Sequence, residues 1–127
     1  VYTSNFSLGV TLFQQILKQI TPVLRGGFDI EMVEKHHKGK LDAPSGTAKM
    51  LLKAMGQENS AVHSVRAGNI AGEHTVIFAG EDEVLEITHR AGSNRIFAQG
   101  AVLAAQFAAG SKPGLYDMND VLFHKDK

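Results

Sequence analysis

Residues Phe28-Asp29-Ile30-Glu31-Met32-Val33-Glu34 alternate apolar and polar side chains. They run without a break into Lys35-His36-His37-Lys38-Gly39-Lys40 and then Leu41-Asp42-Ala43-Pro44-Ser45-Gly46-Thr47-Ala48. Alternation of period two, with β-branched residues among the apolar ones, fits a half-buried strand. The turn cluster Asp42 to Thr47 precedes the helix formers Ala48, Lys49, Met50, Leu51, Leu52, Lys53, Ala54 and Met55, which predicts a helix from Ser45 that Gly56 stops. The middle of the chain is therefore a strand that hands a basic run to a helix start.

Upstream, Val10, Phe13, Leu17, Ile20 and Leu24 recur three or four apart, Leu12, Ile16 and Val23 widen the stripe, and Gln14, Gln15, Lys18 and Gln19 lie opposite. This is an amphipathic helix, capped by Asn5 or Ser7 and closed before Gly26-Gly27. Downstream, Val62 to Arg66, His74 to Ala79 and Val84 to Arg90 read as strands, the last two joined by a short hairpin at Gly80 to Glu83. Arg95 to Ala109 reads as a further helix, with an apolar face of Ile96, Val102, Leu103 and Phe107. The tail from Leu115 to Phe123 is apolar without an evident partner in so small a domain. The elements predict an α+β domain: a mixed, open β-sheet of about four strands with helices on one face. Both alternating sets of His74 to Ala79 are largely apolar, so the second face of the sheet is expected to pack on other subunits in a homo-oligomer, with a homotetramer as the favoured state.

The 127 residues carry 13 Lys+Arg against 13 Asp+Glu, 43% hydrophobic residues and no cysteine. A chain of this length buries about two thirds of its unfolded surface and builds one core. Disulfides and thiolate metal sites are excluded, and the balanced charge gives no global field for nucleic acid or an anionic membrane. No apolar run is long enough to span a bilayer and no signal peptide opens the chain, so the expected location is cytoplasmic. The sequence starts at Val1 rather than methionine, which favours a domain taken from a longer protein.

The candidate chemistry concentrates in residues 34–47. Two histidines and three lysines at a strand end meet a helix amino terminus, whose N–H groups and dipole favour an anion; Gly46 permits close approach, and the hydroxyls of Ser45 and Thr47 add donors. A carboxylate or phosphate pocket fits this composition, and histidine and lysine also bring protons for acid–base work. Plainer readings stand beside it: Ser45 as no more than a helix cap, and the lysines as a solvated face. A metal site is disfavoured because neighbouring residues on a strand point to opposite sides and few carboxylates lie near. A Ser45 nucleophile is weaker still.

The run Glu34 to Ala48 closely resembles the E-x-H-H-x-x-K-x-D-A-P-S-G-T-A signature of the dihydrodipicolinate reductase (4-hydroxy-tetrahydrodipicolinate reductase) family, without gaps. Asn5-Phe6-Ser7-Leu8-Gly9-Val10, Ser64-Val65-Arg66-Ala67-Gly68, Gly72-Glu73-His74-Thr75, Glu86-Ile87-Thr88-His89-Arg90-Ala91 and Pro113-Gly114-Leu115-Tyr116-Asp117-Met118 follow the same family's pattern. The resemblance implies a carboxy-terminal, substrate-binding and oligomerisation domain over residues 1–127, of a fold related to the carboxy-terminal domains of glyceraldehyde-3-phosphate dehydrogenases. It further implies reduction of a cyclic dicarboxylate by NADPH or NADH in lysine and diaminopimelate synthesis. In that scheme His36 and Lys40 are the proton-donating pair, His37, Lys40, Ser45, Gly46 and Thr47 bind substrate, and Thr3, Ser4, Asn5 and Phe6 touch the nicotinamide side of the cofactor. No G-x-G-x-x-G occurs, so the nucleotide-binding Rossmann domain is absent from this sequence, the isolated chain is expected to be inactive, and the apolar tail is expected to pack on that missing domain. The segment from Met55 to Val62 looks shorter than in some members. The alternative, from another class, is a dicarboxylate-binding or oligomerisation module without catalysis.

Overall fold

The computed structural model describes residues 1–3 and 5–123. The elements in chain order are α1 (Leu8–Leu24), β1 (Asp29–His36), α2 (Gly46–Met55), β2 (Val62–Arg66), β3 (Glu73–Ala79), β4 (Val84–Arg90), α3 (Arg95–Ala109) and α4 (Met118–Phe123). The strands form one sheet in the order β2-β1-β3-β4; β2 runs parallel to β1, and β3 lies antiparallel to both of its neighbours. The mixed, open, four-stranded α+β architecture is thus as the sequence suggests. β1 extends two residues past its expected end, so His36 belongs to the sheet.

Register assigns the faces. Met32 lies opposite Val62 and Val76, and Val76 opposite Ile87, while Glu34 lies opposite Ser64 and His74. On this face the apolar end meets Phe13 and Leu17 of α1 and Ala48, Leu51, Leu52 and Met55 of α2, which together with Met32, Val76 and Phe78 make the buried core. Alternation in β1 and the three-to-four spacing in both helices supply the apolar surface that holds the layers together. The opposite face carries Val33, Val65, Ile77 and Val84 among charged and hydroxyl residues, with Val84 61% exposed.

Ser7 caps α1, its Oγ accepting the Val10 N–H at 3.2 Å. The widened stripe of α1 stays uncovered: Leu12, Ile16 and Val23 are exposed, because the layer of α2 and the sheet is only wide enough for Val10, Phe13 and Leu17.

Two expectations are corrected. The tail has a partner within the chain: α4 packs against α1 and α3, and Met118 is buried. Gln15 Nε2 donates to Asn119 Oδ1 at 2.5 Å, Tyr116 meets Phe107 edge-on, and Tyr2 N–H donates to the Tyr116 carbonyl at 2.7 Å. Helix α3 in turn buries Gly100 and Ala104, while Val102 is exposed. The small residues win because α3 presses on the backbone of the segment before α1. A Cβ placed on Gly100 would lie 1.6 Å from the carbonyl oxygen of Phe6.

Gly100→Ala is therefore expected to destabilise the chain. An exposed helical Gly→Ala change gains roughly 0.5–1 kcal/mol, but this one forces a backbone shift of the overpacking kind, costing about 1–3 kcal/mol. Thermal unfolding followed by circular dichroism should show a lower Tm; an unchanged or higher Tm would mean that α3 does not rest on Phe6.

Candidate functional site

The apolar core fills one end of the helix-covered sheet face, and a polar cluster fills the other. Glu34, the next inward position after Met32 on β1, is fully buried, and every partner of its carboxylate is a donor. Oε1 accepts from His36 Nδ1 at 2.5 Å and Arg66 Nη1 at 3.0 Å; Oε2 accepts from Ser64 Oγ at 2.7 Å, Arg66 Nη2 at 2.8 Å and the Ser45 N–H at 3.2 Å. Burial alone would raise this carboxyl's pKa, but hydrogen bonds from Arg66, Ser64 and His36 outweigh it and hold the value at about 2. Arg66 spends its other N–H groups on the Lys40, Asp42 and Val65 carbonyls, which fastens the loop after β1 to the sheet.

Ser45 Oγ accepts the Ala48 N–H at 3.0 Å and lies 2.9 Å from His74 Nε2. His74 is driven down to about 4, first by burial and then by the proximity of His36, so it is neutral at neutral pH. Its ring meets that of His36 edge-on at 5.3 Å.

Above this base lies a cleft of about 580 Å³ lined by His36, His37 and Lys40 from the basic run, Asn69, Ile70 and Ala71 from the β2–β3 loop, and Gly92, Ser93, Asn94 and Phe97 around the start of α3. His37 Nδ1 accepts the Gly39 N–H at 3.1 Å. Lys40 Nζ pairs with Asp42 at 3.0 Å, and the hydrogen bond from Lys40 lowers the Asp42 pKa.

Three of the expected site residues, His36, His37 and Lys40, are thus brought together. Ser45, Gly46 and Thr47 are not among the residues lining the cleft. Ser45 is buried with its hydroxyl committed to the Ala48 N–H of α2 and to His74, so it acts here as the helix cap. Gly46 faces open space, and Thr47 Oγ1 accepts from Asn5 Nδ2 at 3.0 Å. Of the expected nicotinamide-side residues, Thr3 Oγ1 donates to the Asn5 carbonyl, and Asn5 Oδ1 accepts the Ser7 N–H; Phe6 supports α3; Ser4 lies outside the described residues.

Nothing in the local pattern marks Arg66, Ser64, His74, Asn69, Ser93 or Asn94 for a role, because strand register and loop docking bring them in. Glu34 did leave a signal, being a charge at an inward position of an alternating strand. Glu34, His36 and His74 place ligand-type atoms within 4.8 Å of one another, with Glu34 the single carboxylate of the three. Arg66 already neutralises that carboxylate from both oxygens. Among the described residues, no helix is long and apolar enough to cross a membrane.

Residues 9–122 match the protein family described as "Dihydrodipicolinate reductase, C-terminus". A 4-hydroxy-tetrahydrodipicolinate reductase of Brachyspira hyodysenteriae is 43% identical over 96% of this chain and 61% of its own length; one from Methanoregula boonei is 41% identical over 96% and 54%. The chain therefore spans a little over half the length of these curated relatives. The alignments run over 142 and 140 positions, more than the 127 residues present, so the relatives carry internal residues that this chain lacks. Among solved structures, the dipicolinate-bound dihydrodipicolinate reductase from Paenisporosarcina sp. TG-14 superposes with a TM-score of 0.80 at 22% identity, covering 94% of this chain and 53% of that one. This last likeness is one of fold.

The buried groups predict acid sensitivity in two stages. A native His74 titrating near 4 binds fewer protons than an unfolded histidine at about 6.5, so stability present above pH 6.5 is lost as pH falls towards 4; His89, also lowered by burial, adds to this loss. The Glu34 contribution is then lost between about pH 4.5 and 2. Urea midpoints should fall steadily from pH 7 to 4, less steeply in His74→Gln; equal midpoints over that range would contradict the assignment.

Proposed function

Since the chain belongs to the dihydrodipicolinate reductase C-terminal family, we propose that it binds the cyclic dicarboxylate of such a reductase and supplies the protons for its reduction to tetrahydrodipicolinate, in lysine and diaminopimelate synthesis. The observation that carries this is the convergence of His36, His37 and Lys40 on one cleft with the amides and hydroxyl of Asn69, Asn94 and Ser93. A planar dicarboxylate asks for cationic and amide donors at both ends and for an acid near the ring, and these residue types meet both needs.

The reading gives each group a task. His37 presents its ring to one carboxylate, with Nδ1 already steadied by Gly39. Lys40 exchanges Asp42 for the ligand's carboxylate and delivers a proton as negative charge builds on the ring nitrogen. His36 accepts and returns protons beside it. The N–H groups of Gly46 and Thr47 at the start of α2 lie outside the cleft lining, and a role for them on the second carboxylate, oriented by Ser45 rather than bonded through its hydroxyl, rests on the family resemblance alone. When bound, a reduced nicotinamide nucleotide, NADPH or NADH, supplies the hydride. The residues present fit only its edge. The described part of segment 3–6 spends its polar atoms on Ser7, Thr47 and itself, and no phosphate-binding glycine loop occurs in the sequence. The dinucleotide would be held by a separate domain of the parent enzyme. The uncovered sheet face with Val33, Val65, Ile77 and Val84 would pack against the same face of other copies, giving a homotetramer.

Pyridine-2,6-dicarboxylate should bind the chain by calorimetry, and Lys40→Met or His37→Ala should each weaken it about tenfold or more, as expected for losing one charge-assisted hydrogen bond. Equal affinity for pyridine carrying no carboxylate would overturn the reading. Light scattering at micromolar concentration should report four copies, and a soluble monomer would show that the sheet face is not an interface.

A further inference from the structure

We infer that Glu34 is the positioning residue of this cleft: its carboxylate fixes His36 in the tautomer with the proton on Nδ1, leaving Nε2 for the ligand, and the same carboxylate anchors the start of α2. The inference rests on the dicarboxylate reading of the cleft for its functional meaning, though not for its geometry.

The five contacts of Glu34 form a closed set. Arg66 Nη1 and Nη2, the Ser64 hydroxyl and the Ser45 N–H all donate to it, so the group is ionised and can only accept. A ring nitrogen 2.5 Å from that carboxylate must therefore carry its hydrogen, and in a neutral imidazole the other nitrogen is then the acceptor. His36 lines the cleft with Nδ1 committed, which leaves Nε2 to exchange protons there. Room beside Nε2 is kept by Gly72: a Cβ on that residue would stand 3.2 Å from Nε2, and its φ of +152° disfavours a side chain. His74, itself tied to Ser45, meets the same ring edge-on.

The chemical consequence follows from charge. When Nε2 takes a proton, the resulting imidazolium is already paired with an anion 2.5 Å away, so no reorganisation is needed; when it gives the proton up, the ring returns to the same tautomer. Because Oε2 also holds the Ser45 N–H, Glu34 sets the distance between this proton carrier and the helix start proposed to grip the second carboxylate. Neither Glu34 nor Arg66 touches the ligand in this scheme.

The test is a long-range 15N–1H correlation spectrum of the labelled chain at a pH where the histidine rings are neutral. His36 should show a protonated Nδ1 and an unprotonated Nε2 with widely separated 15N shifts. A protonated Nε2 would overturn the inference without any variant. In the double variant Glu34→Leu/Arg66→Met, which removes both charges and so leaves none buried alone, the two nitrogen shifts should move towards each other as the tautomers mix. An unchanged Nδ1–H tautomer in the folded double variant would equally overturn it. Titration of the wild-type sample with pyridine-2,6-dicarboxylate separates the two readings: an Nδ1–H tautomer with no binding sustains the role of Glu34 and removes the dicarboxylate reading, whereas binding with an Nε2–H tautomer does the reverse.

Discussion

The two-oxygen contact between Glu34 and Arg66 is the constraint on which the polar half of the molecule depends. It joins β1 to the end of the parallel neighbour β2, and through the remaining Arg66 N–H groups it holds the carbonyls of Lys40 and Asp42. That loop carries His37 and Lys40 and leads into the cap of α2. Removing one partner of such a buried pair typically costs about 3–5 kcal/mol because the other is left as an uncompensated charge, whereas the intact pair adds little net stability. Its value lies in geometry: a bidentate guanidinium tolerates little rotation, so the loop has one place to be.

One sheet face serves two purposes because the side chains on it change character along the strands. Towards one end Met32, Val76 and Phe78 pack under α1 and α2; one pleat further, Glu34, Ser64 and His74 replace them. The helices that seal the core thus also roof the polar cluster, with α2 pointing its amino terminus at it. Desolvation follows, and it lowers the proton affinity of His74. The cleft opens where this cover stops, and the start of α3 closes its far side. That helix can approach because Gly100 lets it rest on the backbone of Phe6.

Surface left over on this scaffold has a physical meaning of its own. The outer row of α1, with Leu12, Ile16 and Val23, and the valines Val65 and Val84 on the opposite sheet face stay exposed among the described residues. The short helix α4 packs on α1 near Gln15 and on α3, burying Met118.

The sequence by itself determined most of the elements, though not the end of β1 or the helix α4, because alternation in Phe28 to Glu34, three-to-four spacing in α1 and α2, and the stops at Gly56 and Gly80 are local consequences of backbone geometry. It also determined the basic run and the family, since an ungapped motif needs no contact map. Tertiary structure alone decided which neighbours the motif acquires. Arg66 and His74 stand 32 and 40 residues beyond Glu34, and only the strand order β2-β1-β3 sets both beside it. It decided that Ser45 turns inward as a cap, that α3 buries its alanine and glycine rather than its valine, and that the tail folds back on α1. Each of these is settled by the competition of distant surfaces for the same limited buried volume, and spacing along the chain carries no record of that competition.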